Sequence, residues 1–115
     1  MEKRRYQRLP REIALNITYN DPATKERKEV ERSCSRNLSA LGLLVTTDKK
    51  LDIGSQVHVE FYLPDSPEYM TLNANVVRVE ELVKDELYEL GLEFIDIDDL
   101  TLAKINALVI HDSGE

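Results

Sequence analysis

The chain reads as a mainly β domain: a small six-stranded antiparallel β-barrel with one C-terminal α-helix packed on it. Three observations predict this. Short segments alternating apolar and polar residues recur from Glu12 to Phe94. Turn-forming clusters separate them, at Asn20-Asp21-Pro22, Asn37–Gly42, Asp52-Ile53-Gly54 and Pro64-Asp65-Ser66-Pro67. Beyond Asp99 the apolar spacing changes from a period of two to that of a helix. Many short strands with turn signals between them favour a barrel, and several kinds of small barrel share the pattern.

Residues 1–11 form a basic lead-in. Pro10 biases Leu9 away from helix, so this arm is expected to be extended or turning there. Residues 12–115 are expected to form a single domain. In 12–19, Ile13, Leu15, Ile17 and Tyr19 share one face of a half-buried strand. Residues 26–36 are charged and read as an exposed strand, with Val30 and Cys34 on one face. Leu43–Thr47 is a short buried strand. Val57, Val59, Phe61 and Leu63 alternate as the next, which the two prolines at 64 and 67 stop. Met70–Glu80 is longer, through Leu72, Ala74 and Val76. Val77 and Val79 fall on the opposite parity, which predicts a bulge or burial on both sides. Tyr88, Leu90, Leu92 and Phe94 make the last strand. Asp96-Ile97-Asp98-Asp99 then offers helix caps, and Leu102, Ile105, Leu108 and Val109 recur at helical spacing.

A length of 115 residues fits one domain with one core, and 42% apolar with 32% charged residues is ordinary for a globular chain. No apolar run approaches the roughly 20 residues of a membrane helix, and the charged N-terminus does not read as a secretory signal. A single cysteine, Cys34, forms no internal disulfide and fits a reducing, cytoplasmic setting. It reads as a small buried hydrophobe. The net charge of -7 is unevenly spread. Residues 1–36 hold 10 Lys/Arg and 6 Asp/Glu, whereas residues 37–115 hold 5 and 16. An acidic body repels a long polyanion such as DNA, while a local basic arm suits a compact anion.

Two segments answer each other. Near the start stands Arg4-Arg5-Tyr6-Gln7-Arg8, with Arg4 and Arg8 at Arg-x-x-x-Arg spacing. Guanidinium is planar and always charged, and it suits phosphates and the O6/N7 edge of guanine. Later comes Asn37-Leu38-Ser39-Ala40-Leu41-Gly42, an amide, a hydroxyl and a glycine at Asn-x-Ser-x-x-Gly spacing. The amide and hydroxyl can read base edges, and the glycine is expected to allow an unusual backbone angle or close ligand approach. Each segment alone also fits a solvated tail or an ordinary turn. Together, in this order, they point to a site for a small anionic nucleotide.

The pair resembles the signature of the PilZ domain, and the stretch Tyr88-Glu89-Leu90-Gly91-Leu92-Glu93-Phe94 resembles a late strand of that family. The resemblance covers nearly the whole chain. It implies a barrel of the split type and binding of the bacterial second messenger cyclic di-GMP. Arg4 and Arg8 would take its phosphates and guanines, with Arg5 in support. Asn37, Ser39 and Gly42 would read guanine. The family uses Asp or Asn at the first of these positions, and the neutral oxygen of Asn37 makes the weaker acceptor. Arg78, in Val76-Val77-Arg78-Val79, corresponds to a strand where the family often places a ligand-facing side chain. The resemblance further implies a receptor that relays its ligand to a cytoplasmic protein of the flagellar, pilus or polysaccharide machinery as the arm orders.

An enzyme is not expected. The two histidines, His58 and His111, are far apart, Cys34 has no evident partner, and no metal-ligand or phosphate-loop spacing occurs. No cofactor or metal is therefore expected. The rival to the receptor is an adaptor of the same fold acting through protein contacts without ligand. A barrel binding single-stranded nucleic acid ranks last, since it would need exposed aromatics on a basic sheet.

Overall fold

The computed structural model describes residues 13–21, 23–35, 37–39, 41–62 and 68–112. Six strands and a helix follow one another: β1 (Ile13–Asn20), β2 (Arg27–Ser35), β3 (Gly42–Thr47), β4 (Gln56–Tyr62), β5 (Tyr69–Val83), β6 (Leu87–Ile95) and α1 (Asp99–Asp112). All neighbouring pairs are antiparallel, and they close into a barrel in the order β1-β2-β3-β6-β5-β4. Closure rests on β1 pairing with β4, where Ile17 meets Val59. Both are fully buried. The expected class and element order are therefore found. The basic arm, Pro22, Leu63 and the 64–67 turn lie outside the described residues.

Alternation builds the core. Ile13, Leu15 and Ile17 point inward from β1, Val57, Val59 and Phe61 from β4, and Leu90, Leu92 and Phe94 from β6. Three register shifts break the period, one at Leu15/Ile17 and two in β5, at Val76/Arg78 and Glu81/Val83. Between Leu15 and Ile17 the partner on β2 moves from Ser33 to Val30, so β2 carries one extra residue there. A one-residue insertion exchanges the faces of everything beyond it. Val30 is buried, and past the bulge it is Ser33 and Ser35 that point inward, while Cys34 is half-buried on the other side. This corrects the expectation that Val30 and Cys34 share a face and that Cys34 is buried. The inward Ser33 hydroxyl donates to the Val30 carbonyl at 3.3 Å, which satisfies it at the bulge.

The bulge expected near Val77 is present, as a register shift between Val76 and Arg78. Burial passes from Met70, Leu72, Ala74 and Val76 to Val79, which packs on the core, and leaves Val77 half exposed. Strand β5 runs three residues beyond the expected end, because Glu80, Glu81 and Val83 pair with Glu89, Tyr88 and Leu87 of β6. That ribbon shows little alternation, since its β5 half buries neither face. At the 52–55 turn the Ser55 N–H donates to the Asp52 carbonyl at 3.0 Å, and Gly54 takes φ 94°, which favours glycine.

Helix α1 starts where the aspartates predict it. The Thr101 N–H donates to Asp98 Oδ1 at 2.7 Å, and the Leu102 N–H donates to the Asp98 carbonyl at 2.9 Å, which makes Asp98 the N-cap. Ile105 is fully buried against the barrel with Leu102 and Ile97 beside it. Burying such a side chain contributes roughly 1.5–3 kcal/mol. The side chains of Leu108 and Val109 lie outside the described part. The bond from the Thr101 N–H holds the Asp98 carboxyl below its ordinary range. A depressed carboxyl stabilises the fold above its unfolded pKa, and that stabilisation is lost as pH falls through the folded value, below about 3.8. Asp98→Ala is expected to lower the melting temperature at neutral pH and to flatten its acid dependence. Circular dichroism melts at pH 7 and pH 3 read both effects.

Candidate functional site

Local chemistry shapes the Asn37–Gly42 segment. The Asn37 N–H donates to Ser35 Oγ at 3.2 Å. Leu38 turns inward and is only 1% exposed, so the segment is anchored in the core. The Ser39 N–H donates to the Gly42 carbonyl at 2.9 Å. Its hydroxyl accepts from the Leu41 N–H at 3.3 Å and lies 3.4 Å from the Gly42 carbonyl, to which it donates. The Leu41 carbonyl in turn accepts from the Phe94 N–H of β6 at 2.9 Å. The result is a turn pinned at one end by the core and at the other by β6.

These contacts give two motif residues a part in the fold. Ser39 is buried, and its hydroxyl is engaged inside its own turn. It shapes the loop. Gly42 does not take an unusual backbone angle, since Gly54 is the one glycine at positive φ among the described residues. It is required instead by the neighbouring strand, because a Cβ there would collide with the Leu92 carbonyl of β6. Asn37 differs from both. It is half-buried, and among the described residues its side-chain amide has no hydrogen-bond partner.

The outer wall around this turn is formed by β3, β6 and β5. Gly42 sits opposite Glu93, and Glu93 opposite Asn75. One outward step along, Leu44 sits opposite Gly91, and Gly91 opposite Arg78. The fold thus brings Arg78 onto the same β3–β6–β5 wall as Gly42. Its guanidinium is largely exposed and ion-paired, with Nη2 2.7 Å from Glu80 Oε2. An exposed pair of this kind contributes little stability and is readily exchanged. Beside the turn, Cys34 of β2 pairs with Thr46 of β3.

Glu93 was not singled out from the sequence, yet it stands exposed across from Gly42. Its parity in β6 marks it as outward, but only the register puts it beside the motif. With Glu80 holding Arg78, this wall carries little free positive charge of its own. An anion bound here needs cations from elsewhere in the chain. Arg4, Arg5 and Arg8 lie outside the described residues. Among the described residues, no three His, Cys, Asp or Glu side chains gather as a metal site, and no helix is long and apolar enough to cross a membrane.

A family model described as PilZ domain matches residues 2–111. The chain belongs to the PilZ domain family, a family of non-catalytic binding domains. Its fold is similar to that of the Bacillus subtilis inhibitor of motility MotI/DgrA, with a TM-score of 0.73 and 20% identity. That match covers 98% of this chain and 52% of the other. The PilZ domain of Escherichia coli YcgR, solved with c-di-GMP, matches at a TM-score of 0.62 and 13% identity, over 98% of this chain and 93% of that one. MrkH of K. pneumonia matches at 0.67 and 14%, over 96% and 50%. The chain therefore spans about half the length of MotI/DgrA and of MrkH. No curated protein matches it.

Proposed function

We propose that this domain is a cytoplasmic receptor for cyclic di-GMP. Membership of the family over residues 2–111, a span containing both motif segments, carries this reading. The YcgR domain of the same fold was solved with that ligand. Asn37 accepts from guanine through its side-chain amide, while Ser39 and Gly42 hold the turn against β6 so that Asn37 is presented outward. Arg4 and Arg8 close over the ligand from the N-terminal segment, taking phosphates and the guanine O6/N7 edge, with Arg5 adding charge. Arg78 joins by leaving Glu80 for the ligand. Neutral Asn37 and acidic Glu93 leave the affinity mainly to the arginines.

The proposed relay uses the N-terminal arm. Residues 1–11 settle on the β3–β6–β5 wall when ligand is bound and alter the surface a partner meets. Such a switch requires the ligand to favour one state over the other, and its phosphates supply that difference through the arginines. The partner is a cytoplasmic effector protein of the flagellar, pilus or polysaccharide machinery.

Isothermal titration calorimetry with cyclic di-GMP, with GTP and cyclic di-AMP as controls, tests the reading. Saturable binding selective for cyclic di-GMP is expected, and the molar ratio separates a single ligand from an intercalated pair. Absence of binding at two temperatures would refute the receptor and favour the ligand-independent adaptor, a reading to which Glu93 beside Gly42 lends support.

A further inference from the structure

The barrel wall opposite β3 and β6 carries a second concave surface. Thr18 of β1 sits opposite His58 of β4, which sits opposite Asn73 of β5. Gln56 lies two residues from His58, and Asn20 two from Thr18, on the same outward rows. With Arg27 from β2 these side chains line a groove of about 310 Å³. That volume is enough for a small metabolite. Among the described residues no carboxylate lines it, on a chain whose net charge is -7.

The groups in the groove are already positioned. Arg27 Nη2 donates to Thr18 Oγ1 at 2.7 Å, and among the described residues the guanidinium has no carboxylate partner. Arg78, by contrast, is held by Glu80. A guanidinium fixed by a neutral hydroxyl keeps most of its five donors for an anion. His58 Nδ1 lies 3.1 Å from Asn73 Oδ1. That contact engages Nδ1 and leaves Nε2 as the ring atom for a ligand hydroxyl. Asn20 and Gln56 add amides that both donate and accept. Glu29, opposite Thr18 on β2, and Glu60, which accepts from the Tyr69 hydroxyl at 3.2 Å, flank the groove. They disfavour a multiply charged ligand and leave room for a single negative charge.

We infer that this groove binds a small hydroxylated carboxylate of the sugar-acid type. Arg27 forks onto the carboxylate, while His58 Nε2, Asn20 and Gln56 take the hydroxyls. The site is separate from the cyclic di-GMP wall, so both ligands bind at once.

The test is a ¹H–¹⁵N NMR titration of the whole chain with glucuronate, with glucose as the uncharged control. Saturable shifts confined to Thr18, Asn20, Arg27, Gln56, His58 and Asn73 are expected with glucuronate and not with glucose. Arg27→Gln should weaken binding at least about tenfold, the loss of one charge-assisted contact. Gln56→Leu, a second exposed position, should weaken it less. Arg4→Ala should leave it unchanged, which separates this site from the nucleotide site. No saturable shift with glucuronate, shifts centred elsewhere, equal response to glucose, or full affinity in both Arg27→Gln and Gln56→Leu would overturn the inference.

Discussion

Arg4→Ala and Arg8→Ala are each expected to weaken cyclic di-GMP binding at least about tenfold while leaving the barrel folded. The magnitude follows from the chemistry of one contact. A hydrogen bond to a charged group contributes roughly 1.5–3 kcal/mol, and about 1.4 kcal/mol is a factor of ten in affinity. Stacking of a guanidinium on a purine adds on the order of 1–3 kcal/mol where it occurs. The wall offers little to compensate the loss, because Glu93 faces Gly42 and Arg78 is already held by Glu80. Arg→Lys should restore only part of the affinity, since an ammonium keeps the charge but not the planar fork. Calorimetry reads the affinity, and an unchanged melting curve confirms the fold. If either alanine variant binds as wild type does, the arm is not part of the site.

Gly42→Ala is expected to destabilise the domain by about 3 kcal/mol, at the upper end of overpacking costs. The obstacle is the Leu92 carbonyl, a backbone atom within the β3–β6 ladder that cannot rotate aside. For a domain of this size the melting temperature should fall by roughly 10 °C. Gly54→Ala is the informative control. Nothing lies near its Cβ, and its cost comes only from φ 94°, about 1–2 kcal/mol. Thermal melts should therefore rank Gly42→Ala as the more damaging. A Gly42→Ala protein that melts like wild type would mean that the β3–β6 seam yields, and that the glycine is held for the ligand rather than for the fold.

Most of the strand and helix order was legible in the chain because it is written locally. Inward residues such as Ile13, Leu15 and Ile17 announce a strand by their spacing, and Asp98 announces a helix start by its carboxylate. The bulge at Val76/Arg78 was legible too, because both parities are apolar there. The bulge in β2 was not. Its neighbours are charged, so no apolar residue recorded the change of face, and Cys34 was assigned to the wrong side. The motif residues of the candidate site could be named from spacing alone, but not the work that Ser39 and Gly42 do in the fold. For Gly42 that depends on β6, about fifty residues further along. The groove around Arg27 gave no signal at all, since its lining comes from β1, β2, β4 and β5 and no two of those strands carry a shared motif.

The sequence by itself determined the class of fold, the number of strands, the helix cap and the pair of segments that mark the family. Each of these depends on intrinsic preferences and on contacts within a few residues. Only the closed barrel sets which residues share a wall: Gly42 beside Glu93, Arg78 beside Gly91, and Arg27 over a groove flanked by Glu29 and Glu60. The physical reason is barrel closure. Register across each seam is set by distant strands packing one common core, and a single extra residue in any strand would deal every outward side chain to a different neighbour.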